Sequence, residues 1–171
     1  MFVCALVSLL LLLGYQSKAA ANKIFGNMTY FADCPSITEK VTLIDGERVV
    51  WSFRLHVSLY YEGHYVYGDF NHDGLGDAAV IIGESQGGSD DSIWLAFLIH
   101  EGIQWVHKQS VFLGDSAIIK SLKERKGKVV VDMLVHQEGD CMAGPTKRVK
   151  MTYNYLKPNP DFVSKKWTED Q

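Results

Sequence analysis

The chain has 171 residues, of which 47% are hydrophobic and 22% charged, with a formal net charge of −3. Such a chain is long enough for one globular domain with a sizeable core and too short for two. The acidic balance and the lack of any basic run give no argument for nucleic acid or an anionic membrane surface as partner.

The chain opens on an apolar run, FVCALVSLLLLL (2–13). It is shorter than the roughly 20 residues a spanning helix needs, and it suits the apolar stretch of a signal peptide. Ala19 and Ala21 place small residues where a signal peptidase reads them. Cleavage is therefore expected after Ala21, with residues 1–21 a signal peptide and 22–171 a secreted or periplasmic β-rich domain with no stable transmembrane segment. No Lys or Arg precedes the run, so a buried first strand and a retained anchor stand as alternatives. Losing Lys18 leaves a net charge of −4 on the mature part. Cys4 lies too early for lipid attachment, whereas Cys34 and Cys141 remain and, in an exported domain, are expected to pair. Closing so long a loop is worth about 4–5 kcal/mol in the chain-entropy picture. Two separate buried thiols are the alternative.

Beyond this point the pattern is mostly period 2, the signature of strands. From Trp51 the apolar side chains fall on odd positions (Trp51, Phe53, Leu55, Val57, Leu59, Tyr61), which predicts a half-buried strand. AAVII (78–82) and SIWLAFLIH (92–100) are apolar throughout, which predicts strands buried on both faces or packed under other elements. SAIIKSL (116–122) and VVVDMLV (129–135) flank the charged turn ERKGK (124–128) and predict a hairpin. IDGE (44–47) and HEGIQ (100–104) also place Gly where a hairpin needs positive φ. RVKMTYNYL (148–156) puts Val149, Met151, Tyr153 and Tyr155 on one face. KPNPD (157–161) ends a strand, because proline cannot donate to a ladder, and a short helix is expected at 162–167. With about nine strands at short spacing, the fold class is mainly β: a single domain of antiparallel strands with little helix.

The stretch richest in chemistry is GDFNHDGLGDAAV (68–80). Asp69, Asn71, Asp73, Leu75 and Asp77 stand at positions 1, 3, 5, 7 and 9 of a loop with Gly74 at position 6. Hard cations such as Ca²⁺ take six to eight oxygens, which alternate side chains and the backbone carbonyl of Leu75 supply. The bidentate Glu of an EF-hand is absent: position 12 is Val80, inside an apolar run. The expected ligand set is therefore Asp69, Asn71, Asp73, the Leu75 carbonyl and Asp77, with Asp77 closing the cage of a strand-to-strand Ca²⁺ loop. The alternative is a polar turn whose side chains cap backbone amides. Oxygen-only ligands argue against Zn²⁺. His72, at position 4, is expected to point outward. His56, His64, His100, His107 and His136 show no ligand spacing.

YGDFNHDGLGDAAVII (67–82), GGSDDSIWLAFLI (87–99) and VFLGD (111–115) resemble a group of small exported bacterial proteins, and the late GDCMAGPTKRVKMTYNY (139–155) is similar to the ending of LppP/LprE-type lipoproteins. In that group the loop reads GDLNGDGxxDAAV. The resemblance implies an exported envelope protein and no particular activity. This chain departs from the group's pattern in His72, in Asp90 and Asp91, and in having one Cys in the late segment.

No GxSxG elbow and no phosphate-binding glycine loop occurs. The function expected from the residues is a non-catalytic envelope or binding module with an unknown partner. The alternative is a small exported hydrolase that uses the acidic loops Asp73/Asp77 and Asp90/Asp91, brought together because both flank the AAVII strand.

Overall fold

The computed structural model describes residues 19–31, 40–52, 55–85, 91–140 and 144–156, with backbone only over the described part of 51–59. Among the described residues there is one short helix, α1 (residues 19–25), which leads into two three-residue strands, β1 (Thr29–Phe31) and β2 (Lys40–Thr42). Then follow β3 (Glu47–Ser52), β4 (Leu55–Gly68), β5 (Asp77–Ser85), β6 (Asp91–His100) and β7 (Trp105–Asp115). The last three are β8 (Ile118–Arg125), β9 (Lys128–Val135) and β10 (Lys147–Asn154). Every paired strand is antiparallel. β3 to β7 form a curled five-stranded sheet in chain order, and β10-β9-β8 form a three-stranded sheet. The mainly β, single-domain expectation holds.

β5 shows why the sequence produces three layers. Its residues Asp77 to Glu84 are buried without a break, so each face of the pleat needs a cover. Ala78, Val80 and Ile82, with Ala96 and Leu98 of β6, pack under Ala21 and Phe25 of α1 and under Tyr30, Val41 and Leu43. Ala79 and Ile81, with Ile93, Leu95, Phe97 and Ile99, pack under Ile119, Val129, Val131 and Met133 of the small sheet. Fully burying one such large aliphatic or aromatic side chain stabilises the fold by about 1.5–3 kcal/mol.

α1 is short but fixed. Ala21 and Phe25 are four residues apart and share the buried face. The helix ends where Gly26 N–H donates to the Asn22 carbonyl (2.8 Å) and the Asn27 side-chain amide donates to the Lys23 carbonyl (2.8 Å). The Tyr30 hydroxyl then donates to the Phe25 carbonyl (2.8 Å) inside the core, and burial pushes that phenol far above its ordinary pKa. The expected cleavage point after Ala21 falls within this helix.

Two turns match their sequence signal closely. Asp45 and Gly46 have φ of 53° and 99°, and Lys126 and Gly127 have 53° and 72°, the pair of left-handed residues that a type I′ hairpin requires. One expectation is corrected. The alternating run from Trp51 to Tyr61 is not one strand: Ser52 pairs with Leu55 and Trp51 with His56, so the run is divided between β3 and β4. Period-2 alternation does not reveal where one strand gives way to its partner, and the sequence Phe53-Arg54 carries no turn signal. The short helix expected at 162–167, the Cys34–Cys141 pairing and residues 1–18 lie outside the described residues. Among the described residues, no helix is long and apolar enough to cross a membrane.

Candidate functional site

The acidic loop joins β4 to β5 and is held by its own side chains. Asp69 accepts from the backbone N–H groups of Asp73 and Gly74 (both 3.1 Å) through its two carboxylate oxygens. Asn71 Oδ1 accepts from Asp73 N–H (3.0 Å), and Asn71 Nδ2 donates to Asp73 Oδ2 (2.6 Å). Asp73 Oδ1 accepts from Leu75 N–H (2.8 Å). The backbone turns through positive φ at His72 (60°) and Gly74 (85°). Asx turns of this kind explain why Asp and Asn recur at alternate positions.

Asp77 differs from the other loop acids. It is completely buried, and both its oxygens serve backbone amides. Oδ2 accepts from Phe70 N–H (2.8 Å) and Asn71 N–H (3.2 Å), and Oδ1 accepts from His100 N–H (2.9 Å). Three N–H donors offset the cost of burying the carboxylate. Asp77 thus ties the entry of the loop and the end of β6 to the first residue of β5. Among the described residues, no three of His, Cys, Asp and Glu stand close enough together to hold a metal ion by themselves.

The loop is braced from two sides. The Trp105 indole N–H donates to the Gly76 carbonyl (2.8 Å). The Trp105 ring packs on Phe25 and Tyr67 and meets His100 edge-on, with centroids 5.7 Å apart. On the other side the His72 imidazole lies against Gly127, where an added Cβ would meet its Cε1 at 2.5 Å. Position 4 of the loop is exposed, as expected of His72, but its ring docks on the β8–β9 turn. Phe70, below, packs edge-on against Phe97 (5.4 Å between centroids).

The acids of the two flanking loops are not brought together. Asp77 and Ser85 end β5, and Asp91 pairs with Ser85. The acidic loop and Asp91 thus lie at opposite ends of that strand, roughly 25 Å apart at about 3.3 Å per residue. This corrects the expectation of one acidic cluster; Asp90 lies outside the described residues. Asp91 instead accepts from the Tyr60 hydroxyl (2.6 Å). Gly83 makes room for the Tyr60 ring, which a Cβ at that position would overlap. Glu62 and His64, also on β4, line the same cavity of about 320 Å³ with Ile93 and Ile119. Burial, and then the charge of Asp91, hold the Glu62 carboxyl above the ordinary carboxylate pKa. Burial and the bond to Asp91 likewise raise the Tyr60 phenol.

His100 and His136 join neither acidic group as a side chain. His100 contributes its backbone N–H to Asp77, and its ring Nδ1 is buried with no partner among the described residues. His136 lies 3.9 Å from Asp140, a carboxylate that Thr146 and the Gln137 amide hold below its ordinary pKa. Sequence reading missed the Tyr60–Glu62–His64 row. Its signal was polar residues at alternate positions of a strand that also looked apolar.

Comparison with protein-family models, with curated proteins and with solved structures gives no match.

Proposed function

We propose that this chain is a secreted or periplasmic, non-catalytic β module whose loop at residues 69–77 takes Ca²⁺ as a structural ion. The observation that carries the reading is the gathering of Asp69, Asn71 and Asp73 on one exposed, tightly turned loop whose base Asp77 anchors. The hard oxygens of Asp69, Asn71 and Asp73 and the Leu75 carbonyl would hold the ion, with water filling the remaining positions. Asp77 contributes from beneath, as the anchor of the loop and as a buried negative charge that a cation above it offsets. The ion would bridge the exit of β4 to the start of β5, and its partner would be an envelope or extracellular component. The test is calorimetric titration of Ca²⁺ into the chain. Binding with a Kd of about 10⁻⁴–10⁻³ M, the range of extracellular modules, and its loss in Asp73→Ala support the reading; no heat of binding removes it.

The hydrolase reading has a different centre from the one the sequence indicated. What favours it is Glu62, a half-buried carboxyl of raised pKa beside Asp91, over a cavity also lined by Tyr60 and His64. Its test is a panel of chromogenic esters and glycosides. Turnover that Glu62→Gln abolishes would move the function to this cavity; no turnover leaves the module reading.

A further inference from the structure

The basic residues KERKGK (123–128) and KRVK (147–150) lie far apart in the chain, yet the fold brings them to one face. Val129, Val131 and Met133 of β9 point into the core. The alternate residues of β9, and those paired with them on β8 and β10, therefore point away from it. The register places Arg125 beside Lys128, Lys123 and Thr152 on either side of Val130, Ser121 and Lys150 on either side of Asp132, and Arg148 beside Leu134. Lys123, Arg125, Lys128, Arg148 and Lys150 are all exposed. Five cations face one carboxylate, so this face carries +4 on a chain whose net charge is −3.

Asp132 is already engaged. Arg148 clamps it with two bonds, Nε to Oδ1 (2.9 Å) and Nη2 to Oδ2 (2.8 Å). The other four cations have no carboxylate on this face among the described residues. Between Lys123, Arg125, Asp132 and Lys150 lies a shallow hollow of about 290 Å³.

We propose that the outer face of the β8–β9–β10 sheet docks on an anionic lipid surface. The cations are spread over three strands, about 4.8 Å apart from strand to strand and, on β8 and β10, about 7 Å apart along the strand. Such a two-dimensional array meets a plane of phosphates with its four uncommitted cations at once. A single strand of nucleic acid asks instead for stacking rings, and among the described residues no aromatic side chain lies on this face. The hollow beside Lys150 has room for a headgroup phosphate. Each Lys or Arg near an anionic surface strengthens binding by about fivefold, an effect that salt screens. This inference does not depend on Ca²⁺ binding by the loop.

The test is co-sedimentation of the full chain with phosphatidylcholine vesicles, with and without about 30% phosphatidylglycerol, alongside a duplex DNA arm. Binding through the apolar N-terminal run would not depend on lipid charge or on salt. The expected result is anionic-vesicle binding that weakens with salt and that Lys123→Glu/Lys150→Glu lowers by about 25-fold or more without moving the melting temperature. Asp132→Asn should strengthen it. Equal binding to neutral vesicles, insensitivity to the charge reversal, or tighter binding to DNA at the same salt overturns the proposal.

Discussion

The Asp77 carboxylate accepts a hydrogen bond from the backbone amide of His100, 2.9 Å away, and so fastens the first residue of β5 to the last residue of β6. Its other oxygen holds the amides of Phe70 and Asn71. Removing a buried acceptor leaves its donors unsatisfied, which costs more than the bonds themselves contribute. Asp77→Ala is expected to destabilise the fold by about 3 kcal/mol or more, measured by urea unfolding. Asp77→Asn keeps one oxygen acceptor and should cost about half as much. Equal stability of Asp77→Ala and wild type would mean that Asp77 does not anchor the loop.

Trp105 braces the loop with one neutral bond and a packed ring. Trp105→Phe keeps most of the packing and loses the bond to the Gly76 carbonyl, with an expected cost of about 1 kcal/mol. Hydrogen exchange should quicken at the loop amides of Gly74 and Leu75 and stay unchanged in β9. Uniform quickening would indicate global loss of stability instead.

Gly127 has a φ of 72° and lies under His72. Gly127→Ala therefore meets both backbone strain and a side-chain clash, and is expected to lower stability by about 1–2 kcal/mol. Thermal melts of the double variant His72→Ala/Gly127→Ala should recover the clash and leave the strain. A double variant no better than Gly127→Ala would show that the imidazole does not rest on the turn.

Glu62 supplies the pH dependence. Burial, and then the charge of Asp91, raise its folded-state pKa above the ordinary carboxylate value. The native state holds that proton more tightly than the unfolded chain does. The associated stability is full below the unfolded pKa and is lost as pH rises through the folded one. Glu62→Gln should therefore be more stable than wild type at neutral pH. The gain should vanish at or below about pH 4, the ordinary Glu pKa. A difference that does not depend on pH would place the effect in packing rather than in titration.

The fold was legible where local chemistry decides it. The I′ turns at Asp45-Gly46 and Lys126-Gly127 and the doubly buried AAVII strand were all plain in the sequence, because positive φ and continuous burial leave few alternatives. The division between β3 and β4 was not, because alternation continues in composition from one strand to its partner. The separation of Asp77 from Asp91 was hidden for another reason. Residues that flank one strand lie close in sequence, but an extended strand holds them apart by its whole length. The basic face was half hidden: Lys123, Arg125 and Lys128 share one hairpin, but Arg148 and Lys150 join them only through the β9–β10 register. Asp77 stood out as a candidate ligand, but its three amide partners come from residues 70, 71 and 100, and the last depends on the β5–β6 pairing.

The most direct measurement on the Ca²⁺ loop is the melting temperature of the chain in millimolar Ca²⁺ against chelator, for wild type and for Asp73→Ala. Ca²⁺ at about ten times its Kd should stabilise the wild type by about 1.4 kcal/mol, raising its melting temperature by a few degrees, and should leave Asp73→Ala unmoved. Identical melting in Ca²⁺ and in chelator, with Asp73→Ala no different from wild type, would contradict a metal-binding role for residues 69–77.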